Sequence, residues 1–145
     1  MTVNNCRGLT IIELLAGVMI GLMILTSSFS ITTSFLSRIE ISGAVTTITS
    51  YLSSARYLSL SECRKVRCKI SGNKILLQIL EDHEWKNFRT AGIKGKVYIS
   101  SNASPVFSPT GSSSPLCSIR VTNNKYSRII TLSFAGRIKV KELKY

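Results

Sequence analysis

The segment that decides the fold reads RGLTIIELL over residues 7–15, and it opens an apolar run that continues to Leu36. From Leu14 to Leu36 there are 23 residues without a charged side chain. A helix of that length rises by about 35 Å, enough to cross a hydrocarbon core of about 30 Å. A secretory signal has a shorter apolar core of ~7 to 15 residues, and a buried core helix would need more surrounding chain than 145 residues supply. The run therefore predicts a membrane-spanning helix over residues 9–36.

Most of the chain follows this helix, and its composition suits a compartment outside the cytoplasm. Arg7 is the only Lys or Arg before the run, and the other 18 of 19 follow it. Long segments cross a membrane largely regardless of their charge. Cys63, Cys68 and Cys117 also follow the run, where a disulfide could persist. Three cysteines form at most one intramolecular bridge, and the spacing leaves its pairing open.

Glu13 is the one carboxylate in the first turns of the apolar helix. Ionisable groups inside a membrane are costly, so such a residue is a functional candidate by default. If the chain were cut after Gly8, the new amino group of Leu9 would need an anionic partner, and Glu13 of a neighbouring subunit could supply it. The alternative is that Glu13 extends to the membrane interface and has no role.

Beyond the membrane the pattern predicts a helix that packs on a β-sheet. Apolar residues recur at steps of four, three, four and three, at Ile41, Val45, Ile48, Leu52 and Ala55. The period then changes to two, and a Gly72-Asn73 turn separates the first two strands. The predicted strands cover residues 66–70, 75–81, 96–100, 118–122, 128–134 and 137–143. We expect one antiparallel sheet and four regions: a leader at 1–8, a transmembrane part of the helix at 9–36, its extracytoplasmic part at 37–62, and a β-rich domain at 63–145.

The sequence does not favour an enzyme. Its only histidine, His83, lies in a charged turn and is expected to be solvated. Cys63 and Cys68 lack the second Cys/His pair of a zinc site, and no nucleophile elbow or Ser/His/Asp set is present. We expect no catalytic residues, no metal and no cofactor.

The segment from Gly8 to Glu13 resembles the type III signal of type IV pilins and type II secretion pseudopilins. That signal has a glycine, a cleavage site, a hydrophobic residue, Thr, two apolar residues and Glu as the fifth mature residue. Leu9 to Glu13 match in order, although the usual first mature residue is Phe. The resemblance implies cleavage between Gly8 and Leu9 by a prepilin peptidase, N-methylation of Leu9, and assembly through Glu13.

Three further motifs resemble the GspH/FimT group, which comprises the H-type pseudopilins and FimT-like minor pilins. They are the helix-to-strand junction that starts at Ala55-Arg56 and runs to Cys68, the loop from Phe107 to Gly111, and a final hairpin with Gly136-Arg137 at its turn. The resemblance implies an α+β pilin fold, with a long N-terminal transmembrane α-helix packed on an antiparallel β-sheet. It also implies other pilin or pseudopilin subunits as partners and a bacterial inner-membrane location, with a single span and a periplasmic C-terminal domain, before entry into a pilus or pseudopilus.

The charge of the mature chain suggests a second partner. Without the leader, 18 Lys and Arg stand against 7 Asp and Glu, a formal +11. On the last predicted strand Arg137, Lys139 and Lys141 should share one face at intervals of ~6.6 to 6.8 Å, with Ile138 and Val140 toward the core. This row, widened by Arg128, predicts contacts with the phosphates of double-stranded DNA, as in a minor pilin for DNA uptake. The alternatives are a basic face toward lipid headgroups or acidic subunits, and an H-type pseudopilin that acts in protein export through protein contacts.

Overall fold

A computed structural model describes residues 10–143 of the chain, with the side chains of residues 27–33 outside the description. The predicted leader, Gly8 and Leu9 therefore lie outside the described residues. The chain divides into two compact units, Met1–Leu36 and Ser37–Tyr145. Among the described residues, no helix combines the length and the apolar character needed to cross a membrane. The predicted span over residues 9–36 includes residues outside the description, and it stays a prediction.

One α-helix, α1, runs from Ile11 to Ser61. Thr10 precedes it, and the Thr10 carbonyl oxygen accepts the backbone N–H groups of Glu13 and Leu14 at 3.1 and 3.2 Å. At the other end Cys63 has a φ of 52°, a left-handed conformation that is common just beyond a helix end. The helix is 51 residues long, and no proline interrupts it.

The helix contributes a buried stripe to the core of the second unit. Ile41, Ile48, Leu52 and Ala55 are fully buried, and Val45 is 5% exposed. These are the residues that the helical period predicted to face the domain. Burial of an aliphatic side chain is worth about 1.5 to 3 kcal/mol, so this stripe holds the helix against the strands.

Within residues 10–143, nine strands form two antiparallel sheets, where one sheet was expected. The strands are β1 (Val66–Ser71), β2 (Lys74–Glu81), β3 (Glu84–Gly92), β4 (Tyr98–Ser101), β5 (Val106–Phe107), β6 (Ser113–Ser114), β7 (Cys117–Thr122), β8 (Ser127–Leu132) and β9 (Ile138–Leu143). The first sheet has the order β3-β2-β1-β5-β6, and the second has the order β4-β7-β8-β9. One hydrophobic cluster joins residues of the helix and of both sheets. The single-sheet prediction is wrong because pairing between distant strands, such as Val66 with Phe107, leaves no local trace.

The sequence also missed strand β3, because the turn before it lacks the usual signal. Asp82 and His83 have φ angles of 48° and 69°, as a two-residue hairpin turn of type I′ requires. Such turns usually carry Asn-Gly or Asp-Gly. His83 is exposed, as expected. The ring centroid of Trp85, in β3, lies 4.2 Å from the guanidinium carbon of Arg67.

Candidate functional site

Glu13 lies in the first turn of α1, among apolar side chains that have little protein around them. Ile11 and Ile12 are 82% and 77% exposed, and the large apolar residues from Leu14 to Leu25 are 54% or more exposed. Glu13 is exposed as well, and it is the only acidic residue of that turn. The helix thus presents one carboxylate within an exposed apolar surface.

The three motifs behind the second resemblance meet at one point of the domain. The Arg56 Nη1 atom donates a hydrogen bond to the Gly136 carbonyl oxygen at 3.4 Å. A Cβ atom added at Gly136 would lie 2.7 Å from the Gly111 carbonyl oxygen and 2.9 Å from Arg56 Nε. Gly136 also has a φ of 70°, so glycine is required for both the conformation and the space. We call Arg56, Gly111 and Gly136 the glycine junction.

The glycine junction holds the β8–β9 hairpin against the helix and the loop. The Ser113 backbone N–H donates to the Phe134 carbonyl oxygen at 2.8 Å, and the Ser113 hydroxyl donates to the Ser133 carbonyl oxygen at 2.7 Å. Ser113 itself is 1% exposed. The turn that carries Gly136 and Arg137 is therefore fixed in place, and the strand that follows it starts from a defined position.

The basic residues of β9 lie on one face, as the strand period predicted. Lys139 pairs with Thr131, and Lys141 pairs with Ile129, on the face opposite to the buried residues Ile130 and Leu132. Ile138 packs against the core, whereas Val140 points the same way but is 44% exposed, because β9 is the last strand of its sheet. Arg137 is exposed and lies in the turn before β9.

Arg120 lies on the same face as the basic residues of β9, whereas Arg128, which was expected to widen their row, does not. Arg120 on β7 also pairs with Ile129, so Arg120 and Lys141 flank this residue on the same face, about 9.4 to 9.8 Å apart across two strand spacings. Arg128 lies on the other face, where its guanidinium forms an ion pair with Glu142 and donates to Ser42 Oγ at 3.4 Å. The structure therefore does not bring Arg128 together with Lys139 and Lys141. We call Arg120, Arg137, Lys139 and Lys141 the basic face.

Two of the three candidate disulfide residues lie together in the core. Cys68 is fully buried and Cys117 is 2% exposed, whereas Cys63 is exposed beside the helix end. Burial, with a further contribution from Cys117, raises the pKa of Cys68 to about 12. Burial also raises the pKa of Cys117, against hydrogen bonds with Ser101 and the Ala103 carbonyl oxygen. All three thiols are free in this structure. Cys68 and Cys117 belong to the same core cluster, and Cys117 affects the pKa of Cys68, so we predict this pair if a bridge forms.

No group of three metal-binding side chains occurs among residues 10–143 whose side chains are described. The residues that stand out are instead a carboxylate, a set of surface cations and a rigid turn.

The fold is similar to those of two minor subunits of known filament systems. The type IV minor pilin FimU of Pseudomonas aeruginosa matches with a TM-score of 0.63 and 18% identity, over 74% of this chain and 92% of that one. The minor pseudopilin EpsH from the Type 2 Secretion System of Vibrio cholerae matches with a TM-score of 0.59 and 7% identity, over 73% and 96%. No protein-family model and no curated protein sequence matches the chain. The fold is thus the α+β fold of pilin-like proteins of the GspH/FimT type, which confirms the predicted fold class.

Proposed function

We propose that this protein is a minor type IV pilin or pseudopilin subunit that is cleaved after Gly8, methylated at Leu9 and assembled from the bacterial inner membrane into a pilus-like filament. The observation that carries the proposal is the exposed apolar surface from Ile11 to Leu25 with Glu13 as its acidic residue. In water this surface is unfavourable by about 25 cal/mol for each Å² of apolar area. Lipid covers it before assembly, and the helices of neighbouring subunits cover it afterwards.

In this proposal Glu13 fixes the position of each subunit along the filament. The amino group of Leu9 in one subunit pairs with the carboxylate of Glu13 in its neighbour, in surroundings of low dielectric constant. An unpaired charge in such surroundings is strongly disfavoured, so only the register that forms the pair is stable. The domain of residues 63–145 then lies outside the helical core of the filament, as a structural subunit without catalysis.

Replacement of Glu13 tests the assembly role. Glu13→Gln keeps the side-chain size but removes the charge, so the protein should be inserted and cleaved normally and then be depleted at least tenfold from sheared filaments. The matched control is Glu62→Gln, the same change at an exposed position just beyond the helix. Immunoblots of membrane and filament fractions give the distribution. Normal incorporation of Glu13→Gln would mean that Glu13 has no pairing role.

The basic face supports a second function for the same subunit, the binding of double-stranded DNA for uptake. One solvent-facing side of the sheet carries Lys139, Lys141 and Arg120, and Arg137 lies in the fixed turn before β9. Phosphate contacts of this kind position DNA without reading its bases. We expect non-specific affinity, with a dissociation constant of about 10⁻⁴ to 10⁻⁶ M that weakens as salt rises.

A charge-matched pair of triple variants tests DNA binding. The test variant changes Arg137, Lys139 and Lys141 together to Gln. It should bind every duplex more weakly, and its binding should depend less on salt. The control variant changes Lys69, Lys74 and Lys94 together to Gln. It removes the same charge from exposed positions elsewhere, and it should retain most of the affinity for DNA. Gel shifts at several salt concentrations compare them. If the native protein gives no salt-sensitive shift, the H-type pseudopilin of a type II secretion system becomes the better interpretation.

A further inference from the structure

A groove of about 360 Å³ lies where α1 meets one end of the second sheet. Its walls are Arg38 and Ile41 of the helix, Lys125 and Tyr126 of the β7–β8 turn, the first two residues of β8, Ser127 and Arg128, and the last two of β9, Glu142 and Leu143. We call it the Arg38 groove. All of these residues belong to the second unit of the chain.

The Arg38 groove is fixed by one side chain of the turn. The Asn123 amide donates a hydrogen bond to the Ser37 carbonyl oxygen at 2.8 Å. Its Oδ1 atom accepts the backbone N–H groups of Lys125 and Tyr126, at 3.0 and 2.8 Å. The turn is thus attached to the helix one residue before Arg38. The two sides of the groove therefore have a defined separation without a ligand.

The charges that line the groove favour an anion. Arg38, Lys125 and Arg128 are cationic, and Glu142 is the only acidic residue of the lining. Glu142 is paired with Arg128. Arg38 is exposed and forms no ion pair within the described part of the chain. The described residues of the lining are three cations and one anion, a net formal charge of +2 before any contact with residues outside the description.

The cations of the lining suit phosphate oxygens. Guanidinium groups such as that of Arg38 form charge-assisted hydrogen bonds with phosphate, and these are stronger than hydrogen bonds between neutral groups.

The position of the groove along the chain indicates which phosphate it meets. Arg38 is the first charged residue after the run from Leu14 to Leu36, and Phe35 and Leu36 just before it are 64% and 57% exposed. In a membrane-inserted subunit, Arg38 would lie where the hydrocarbon ends and the headgroups begin. Ile41, Tyr126 and Leu143 add apolar walls that a free inorganic anion would not use.

We infer that the Arg38 groove binds the phosphate of an anionic glycerophospholipid, which holds the domain at the membrane surface before assembly. The inference rests on the proposed membrane insertion of the helix. Phosphate oxygens contact Arg38, and the start of an acyl chain or the glycerol lies against the apolar walls. Bound lipid would dissociate when the subunit enters the filament, because the subunit then leaves the headgroup layer of the membrane.

Lipid titration of the full chain in neutral detergent tests the inference, with native mass spectrometry to count bound lipids. The probes are dioctanoyl phosphatidylglycerol, dioctanoyl phosphatidylcholine and inorganic phosphate. One equivalent of phosphatidylglycerol should bind more tightly than phosphatidylcholine. Arg38→Gln should weaken it about tenfold, the effect of one charge-assisted hydrogen bond. Lys69→Gln, which removes an exposed cation outside the groove, should leave the affinity unchanged.

Each other outcome overturns the inference. Equal binding of the two lipids would show an apolar groove without headgroup recognition, and equal binding of inorganic phosphate would show a site for a free anion. Unchanged affinity in Arg38→Gln would place the lipid elsewhere. Arg38→Gln should not lower the melting temperature, because Arg38 is exposed and has no ion pair within the described residues, so a loss of binding there cannot come from unfolding. Filament incorporation, measured in the Glu13 experiment, reports on the proposed function separately.

Discussion

The glycine junction makes a quantitative prediction for Gly136→Ala. The new Cβ would lie 2.7 Å from a backbone oxygen of Gly111, which cannot rotate away, and 2.9 Å from Arg56 Nε. The left-handed conformation alone costs a non-glycine residue about 1 to 2 kcal/mol, and overpacking adds about 1 to 3 kcal/mol. Since alanine also restricts the unfolded chain by ~0.4 to 1 kcal/mol, the net loss of stability should be about 1 to 4.6 kcal/mol. For a domain of this size, at about 4 °C for each kcal/mol, that lowers the melting temperature by about 4 to 18 °C.

Two other glycines provide graded controls. Gly72 has a φ of 56° but nothing within 4 Å of an added Cβ, so Gly72→Ala should cost only the conformational part, about 1 kcal/mol. Gly111 has a φ of 78°, and its added Cβ would meet a Leu60 side-chain atom at 3.3 Å, which can move. Thermal unfolding followed by the fluorescence of Trp85, the only tryptophan, gives the three melting temperatures. The reasoning is refuted if Gly136→Ala melts together with Gly72→Ala.

Two further predictions concern processing and the cysteines. Gly8→Val should leave a full-length precursor in the membrane that does not enter filaments, which intact-mass measurement of the membrane and filament fractions would detect; an amino terminus at Met1 in assembled filaments would contradict the prediction. In the oxidised protein a peptide that links Cys68 to Cys117 should appear in non-reducing digests, and a Cys63 crosslink would exclude this pairing. In the reduced, folded protein at pH 8, iodoacetamide should modify Cys63 first, because the raised pKa of Cys68, about 12, keeps its thiol protonated and burial excludes the reagent.

Local patterns in the sequence determined the helix and the strands that are buried on one face, because burial on one face leaves a periodic pattern of apolar residues. The helical period identified the buried stripe from Ile41 to Ala55, and α1 ends at Ser61, close to the predicted end near Leu60. Alternation with period two identified most of β1, β2, β7, β8 and β9, with differences of a few residues at their ends. It also predicted that Lys139 and Lys141 share a face, since neighbouring positions on a strand point to opposite sides.

Tertiary structure decided the features that depend on residues far apart in the chain. The sequence predicted that Arg128 widens the row of β9 cations, but its partner Glu142 lies 14 residues later, and register across the β8–β9 pair puts both on the opposite face. Arg56 meets Gly136 across 80 residues. The Arg38 groove forms because Asn123 reaches Ser37, 86 residues earlier. Periodicity reports which side of one element is buried, whereas such contacts arise only when separate elements pack, so no single segment of sequence carries them.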